Sequence, residues 1–434
     1  MSAPPDLSAP SRPAPASRAL VIWLCAMSAY VCAVAARTSL GVAGVEAMDR
    51  FSMSAGSLSF FSTLQIGVYA LAQIPVGVAL DRFGPRRLLS TGAVLVSLGQ
   101  IAMAVAPSLP AALAARVLLG IGDATAFVSV LRLLPSWFSP FRIPLFTQLT
   151  SILGLLGQVI SAVPFMAVLH HRGWTMAFAI MAGLGFAAAL LVVAVARDAP
   201  TEASAGGPPA GGARPNAPAE PIRATLRAVL SSPWAWLGFF THWSGAGPAM
   251  TFTLLWGMPF MTLGLGMPAP QASTVLVLNT AASIVCGPVV GQLTARHPRG
   301  RVPGVLAVSA VVAGAWAAIL GASSPAPAWA AALLSIVLAA SGCASSIGFD
   351  FVRQGVGPHR LGTATGTTNM GGFTAALLNV QLIGWVLDRV SAGTDYTWAD
   401  FRVALCVQAA AWAVGAAGVA ASAALIRRRA GRVV

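Results

Sequence analysis

Charged side chains lie inside long apolar runs of this 434-residue sequence, among them Arg37, Arg116, Asp123, Arg132 and Asp350. A charge placed in such a run costs roughly 2.5–3.5 kcal/mol on insertion scales and usually faces an interior cavity. Counting along the runs puts Arg37 in the outer part of the first and Arg116 in the outer part of the fourth, at similar depth. Two guanidiniums at one level of a cavity make a bidentate site for a carboxylate or a phosphate. For Arg37 a structural role, bonding carbonyls near a helix end, competes evenly with ligand binding. Asp123 follows Arg116 by two helical turns, so both lie on much the same face, and His242, in the seventh run, is expected at roughly the depth of Asp123. A carboxylate facing an imidazole in low dielectric is a candidate for reversible protonation. The competing reading is a permanent salt bridge from Asp123 to Arg37 or Arg116, with His242 bonded to a hydroxyl such as that of Thr241. Arg132 and Asp350 fall near the ends of runs four and ten, where snorkelling or gate pairing outweighs contact with a solute. Tyr30, Trp243 and Trp256 offer cavity walls, with lipid-facing or packing positions as the equal alternative.

The elements that must hold these groups are membrane helices. Hydrophobic residues make up 57% of the chain and charged residues 9%, against about 25% charged in soluble domains. About twelve apolar cores, each near the ~20 residues that a bilayer requires, fall at 19–43, 57–80, 88–107, 110–133, 143–169, 174–196, 233–259, 271–294, 303–322, 328–350, 362–386 and 402–425. Nothing resembles the alternating ~10-residue strands of a membrane barrel. The expected fold class is an all-α integral membrane protein.

A net charge of +14 raises the question of nucleic acid. Lysine is absent, and the arginines cluster in short gaps between apolar runs rather than on one soluble face. A cytoplasmic bias of arginine explains this better. With the N-terminus inside, the inner gaps carry Arg82, Arg86, Arg87, Arg142, Arg197, Arg214, Arg223, Arg227, Arg296, Arg299, Arg301, Arg353 and Arg360, and the tail adds Arg427, Arg428, Arg429 and Arg432. The outer gaps hold only Arg50, Arg172, Arg389 and Arg402, along with the acids Glu46, Asp49, Asp388, Asp395 and Asp400. Both termini are therefore expected in the cytoplasm of a cell with the protein in its inner or plasma membrane.

The stretch after Arg197 is rich in Ala, Gly and Pro and reads as a flexible linker. Its end, Ile222 to Leu230, reads as a surface helix or a lead-in to the seventh span. The expected organisation is a tail over 1–18, a six-helix unit over 19–196, a linker over 197–230, a second six-helix unit over 231–426 and a basic tail over 427–434. The run ending Ala33-Val-Ala-Ala36 resembles a signal peptide, but apolar character continues past Arg37, so it reads as an uncleaved first span. The five cysteines, each inside an apolar run and without metal-type spacing, read as packing residues; no metal or other cofactor is expected.

Between the second and third runs stands Gly77-x-x-x-Asp81-Arg82-x-Gly84-x-Arg86-Arg87. Shifted by 214 residues it meets Gly291, Arg296 and Arg301 in register, with Ala295 in place of Asp81. Such internal repeats are common in secondary transporters. The pattern resembles that of the major facilitator superfamily between its helices two and three, and Arg116, Gly120 and Gly122 match that family's signature in helix four. The resemblance implies two pseudo-symmetric six-helix bundles, with spans one, four, seven and ten lining a central cavity. It also implies that Asp81 lies against the start of helix eleven, near Leu361. An acid there suits the orphan N–H groups of a helix N-terminus and latches the two halves on the cytoplasmic side; pairing of Asp81 with Arg82 or Arg132 alone is the competing reading. For Arg116 the family motif adds proton coupling or helix orientation to direct binding.

The function expected from these readings is a secondary active transporter, not an enzyme. Its solute is expected to be a small organic anion moved by alternating access together with a proton, by a monomer within the lipid bilayer. Arg37, Arg116, Tyr30, His242 and Trp243 form the expected solute site, Asp123 and His242 the proton site, and the motif residues with Arg132 and Asp350 the gate. The alternative is a proton-driven efflux pump for amphipathic compounds, although Gln158 stands where the drug/proton antiporters of the family have proline. The nitrate-type Gly/Asn-rich pattern is absent, and no P-loop is present to hydrolyse ATP.

Overall fold

A computed structural model describes residues 16–52, 55–200, 220–391 and 396–430. The tail before residue 16, linker residues 201–219 and the last four residues lie outside the described residues, as do Arg12, Arg214, Asp395 and Arg432.

Helices account for the fold, and no strand occurs among the described residues. The first group comprises α1 (Ala16–Val42), α2 (Gly44–Phe51), α3 (Ala55–Phe83), α4 (Pro85–Val105), α5 (Leu109–Trp137), α6 (Ile143–Ile160) and α7 (Met166–Val195). After α8 (Ile222–Leu230) come α9 (Pro233–Thr251), α10 (Gly257–Pro259), α11 (Ala269–Arg296), α12 (Arg301–Leu320), α13 (Ala328–Ser345), α14 (Ile347–Gly355), α15 (Leu361–Val390), α16 (Trp398–Leu405) and α17 (Val407–Ala430). Among the described residues, ten stretches are long and apolar enough to cross a bilayer. One of these, Ile143–Val195, has 53 residues and is broken at Gly173, whose φ of 79° suits a residue without a side chain. Pro233–Gly264, which carries π-helical turns at Phe252–Trp256 and Phe260–Gly264, is long enough for one crossing but lies outside the ten. The result is the architecture of about twelve crossings in two helical bundles.

The sequence explains local starts and stops. Gly84 takes φ 78° to end α3, and Pro85 opens α4 at a position where no N–H is needed. The Arg86 amide donates to Asp198 Oδ1 at 2.7 Å, so an acid beyond α7 satisfies an orphan donor at the start of α4. Three breaks differ from the sequence reading: α2 is a separate short helix, the tenth span splits at Ser346, and the twelfth splits at Cys406. No proline stands at Ala43, Ser346 or Cys406 to mark these junctions in the sequence.

By the alternation of the helices, Ala16, the α3–α4 turn and Ala430 lie at one face of the bundle, called here the motif face. The two bundles meet along two seams, α3 on α15 and α6 on α11. A Cβ added to Gly77 would sit 2.6 Å from Gly362 O and 2.7 Å from Thr363 Cα. At the other seam a Cβ on Gly291 would sit 2.9 Å from Leu145 Cα. The repeated glycine thus allows backbone contact across both seams, which any side chain would pry apart.

Candidate solute cavity and gate

A cavity of about 270 Å³ lies between the bundles at mid-depth. The first bundle contributes Tyr30, Arg37, Tyr69, Phe127 and Gln148; the second contributes His242, Asn279, Asn369 and Phe373. Its charged centre is one pair: Arg37 Nε and Nη2 donate to Asp123 Oδ2 and Oδ1 at 2.6 and 2.8 Å. Asp123 is fully enclosed, whereas the Arg37 side chain remains 23% exposed, and Nη1 takes no part in the pair. The guanidinium also lies over the Tyr69 ring, 4.7 Å from its centroid, and 5.9 Å from that of Phe373. Stacking of this kind favours Arg over Lys and fixes the fork that the carboxylate meets.

Arg116 lies outside the cavity wall. Its guanidinium is fully buried and donates from Nη1 to Ala36 O at 3.1 Å and Gln65 Oε1 at 3.3 Å. The two-guanidinium clamp expected from depth counting is therefore not assembled: Arg116 turns behind α1 and braces the backbone one residue before Arg37. Arg37 and Arg116 against Asp123 nevertheless leave this level of the first bundle with one surplus positive charge.

His242 lines the cavity, but it is not brought to Asp123. Its Nδ1 lies 3.5 Å from Ser345 O and its ring packs 5.1 Å from that of Phe349. Tyr30 is on the wall, with its ring 5.5 Å from that of Phe127. Trp243 and Trp256 are not on it. Each half-buried indole N–H needs an acceptor, and they find Ala411 O and Val380 O, at 2.9 and 3.0 Å, inside the second bundle. Sequence reasoning missed Tyr69 and Asn369 as a pair, although Asn369 Nδ2 donates to Tyr69 Oη at 3.0 Å across the seam. It also missed Gln148, whose Nε2 donates to Cys343 O at 2.7 Å across the other seam. The available signal was a polar side chain facing inward in an apolar run.

At the motif face Asp81 meets the first turn of α15. Its Oδ1 accepts from Gly362 N at 2.6 Å, and its Oδ2 from Thr363 N at 2.8 Å and Thr363 Oγ1 at 2.7 Å. Arg132 donates to Pro358 O at 3.0 Å. Asp350 pairs with Arg353 and lies 3.8 Å from Arg301 Nη2, and Arg353 reaches Thr147 Oγ1 across the second seam at 3.3 Å. Gly77, Gly84, Arg82 and Arg86 all serve this end: Arg82 donates to Glu220 O at 3.1 Å, and Arg86 to Val193 O. No contact of Arg87 bears on the gate.

Glu220 ties the end of the linker to the same place, accepting from Arg360 Nε at 2.8 Å and Nη2 at 2.5 Å and from Thr225 at 3.1 Å. The Arg360 hydrogen bonds hold its carboxyl down at about 2, from an ordinary value of 4.5. A depressed carboxyl stabilises the fold above its unfolded pKa and loses that contribution as pH falls through its folded one. Glu220→Gln should therefore lower the melting temperature at pH 7, and its gap from the parent should close between pH 4.5 and about 2. A gap independent of pH over that window, followed by differential scanning fluorimetry, would show that the carboxylate is not what holds this contact.

The Major Facilitator Superfamily model matches residues 26–380. The chain is 26% identical over 355 residues to a probable nitrate/nitrite transporter of Mycobacterium tuberculosis, covering 80% of this chain and 83% of that protein. It is 26% identical over 411 residues to monocarboxylate transporter 13 of Rattus norvegicus, covering 88% and 85%. A shorter match, 28% identical over 173 residues, links it to the hexuronate transporter of Bacillus subtilis and covers only 39% of that protein. Among solved structures, the transporter FucP superposes with a TM-score of 0.68 at 13% identity, over 93% of this chain and 99% of FucP.

Proposed function

The chain belongs to the Major Facilitator Superfamily and is a secondary transporter of a small solute; we propose that the solute is an organic anion and that a proton accompanies it. One observation carries this reading: a partly exposed arginine on the cavity wall is held by a fully enclosed aspartate. An incoming carboxylate approaches the open edge of Arg37 and competes with Asp123 for its fork. Asp123, enclosed and deprived of its counter-ion, is then driven to take a proton, because an unpaired buried charge costs several kcal/mol (~3–5). Anion and proton thus load together, and the unloaded carrier re-forms the pair. The surplus positive charge from Arg116 favours an anion at this level. His242 and Asn369 stand opposite, where they orient the rest of the solute by hydrogen bonds.

Alternating access follows from the gate. Asp81, Arg132 and the Arg353–Thr147 contact hold the motif face shut in this conformation; opening that face means breaking them while the seams rock at Gly77 and Gly291. We assign the arginine-rich motif face to the cytoplasm, which puts both termini there and the protein in the inner or plasma membrane. We take residues 19–196 and 231–426 as the two six-helix units, 197–230 as their linker, and one chain as the working unit, since the cavity is built from a single chain. The names of the relatives are consistent with an anion, spanning nitrate, monocarboxylates and hexuronates. Efflux of cationic amphiphiles is less well supported, because the carboxylate at the cavity is already paired with Arg37.

A thermal-shift screen of the purified protein against carboxylates, phosphates, sugars and cationic dyes tests the reading, since a ligand stabilises the state it binds. Stabilisation by carboxylates that disappears in Arg37→Gln is the expected result; stabilisation by cationic dyes alone would replace this reading with efflux.

A further inference from the structure

A second cavity, of about 370 Å³, lies at the motif face and shares no residue with the central one. The first bundle lines it with Arg132 of α5 and Ile143 of α6, and the second with Arg301 of α12, Asp350 and Arg353 of α14, and Leu361 of α15. Gln354 and Pro358, also in its lining, are exposed near helix ends on that face. The cavity therefore opens to water there.

Its lining carries three guanidiniums against one carboxylate. Arg132 also lies within electrostatic reach of Asp81 and Asp198, so the surplus that belongs to the cavity itself comes from Arg301 and Arg353 against Asp350. Arg301 donates from Nε to Thr294 O at 3.2 Å, and Arg353 from Nη2 to Asp350 and Thr147. Nη1 of each makes no hydrogen bond among the described residues and is not sealed from solvent. The two side chains keep 8% and 13% exposure. Helix starts add to the field, since Ile143, Arg301 and Leu361 are the first residues of α6, α12 and α15. The amides of α15 are given to Asp81, but the caps of α6 and α12 make no side-chain hydrogen bond.

We propose that this cavity binds a phosphate group, whose oxygens accept from Arg301 and Arg353 while Arg132 adds charge from the other bundle. A phosphate group carries about −1.5 to −2 charge near pH 7 and three strong acceptor oxygens, and guanidinium forks match such oxygens in geometry. A carboxylate brings one charge and two oxygens, which answers fewer of the donors here. At ~30 Å³ per water, the space also admits a small organic substituent on the phosphate. Its walls belong to both bundles, so a bound phosphate adds a tie across the face that must open. Occupancy holds the carrier closed at the motif face and slows transport without competing at Arg37. The proposal stands independently of the identity of the solute.

The test titrates inorganic phosphate onto the full chain in phosphatidylcholine nanodiscs, against sodium chloride at equal ionic strength. Expected is a saturable rise in melting temperature with phosphate alone, together with shorter spin-label distances across the motif face. The apparent affinity should fall roughly tenfold or more in Arg301→Gln, the effect of losing one hydrogen bond to a charged group. It should fall as well in Gln354→Glu, which sets an acid on the exposed rim and serves if Arg301→Gln fails to fold. Binding should persist in Arg37→Gln/Asp123→Asn, which lacks the central pair. Discs containing phosphatidic acid separate the two sources: a shift that needs this lipid, and that Arg301→Gln or Gln354→Glu weakens, means that the phosphate is a headgroup. No shift with either source, a shift that chloride matches, one unchanged in both Arg301→Gln and Gln354→Glu, or one lost with the central pair overturns the proposal.

Discussion

Arg37→Gln is expected to abolish carboxylate binding and, at neutral pH, to destabilise the protein by roughly 3–5 kcal/mol, the usual cost of leaving one member of a buried ion pair behind. The reason is the unequal enclosure of the pair, with Asp123 at 0% and Arg37 at 23% exposure. The stranded carboxylate has no water to turn to. Asp123→Asn is expected to behave differently, because the arginine that remains reaches the cavity and stacks on Tyr69. That variant should fold near parent stability, bind the anion with little pH dependence, and exchange it across the membrane. The double variant Arg37→Gln/Asp123→Asn should recover most of the stability lost in the single arginine variant, since two neutral partners replace two charges. Chemical denaturation of all four proteins closes the cycle. Additive losses would mean that the two residues act separately.

Asp81→Asn is expected to slow transport by about 10- to 100-fold at equal expression, corresponding to roughly 1.5–3 kcal/mol for hydrogen bonds to a charged group. Three donors converge on the two oxygens of Asp81. Asparagine keeps one acceptor and turns a donor toward amides that need an acceptor. The conformation closed at the motif face should lose population, which spin-label distances across that face will report. Transport equal to the parent, with unchanged distances, would remove the latch from the account. The other seam has no equivalent: the α11 position matching Asp81 is Ala295, and the α6 start that packs on Gly291 begins Ile143-Pro144, where proline has no N–H to offer. The repeat has lost the acid on one side and a donor on the other.

Much of the fold was legible because bilayer physics is local. A span must be long, apolar and internally hydrogen-bonded, so its position can be read from the chain alone, whereas the break at Ser346 cannot. Within the candidate site, the charges inside the runs were identifiable by their cost. Their partners were not, since Arg37 and Asp123 are 86 residues apart and Asp81 and Gly362 are 281 apart. For Asp81 the family pattern supplied the neighbour. For Arg116 depth counting misled, because depth fixes a level but not a direction, and its guanidinium turns toward Ala36 O. Trp243 looked like a cavity wall for the same reason.

Coupling of anion and proton through Arg37 and Asp123 is the centre of the account. The most direct measurement places the protein in vesicles at zero membrane potential, with a pH-sensitive dye in the lumen, and adds a carboxylate chosen from the thermal-shift screen. The account predicts that the lumen acidifies as the anion enters, and that Asp123→Asn abolishes acidification while solute exchange persists. Anion entry without acidification, or acidification that survives Asp123→Asn, would contradict it.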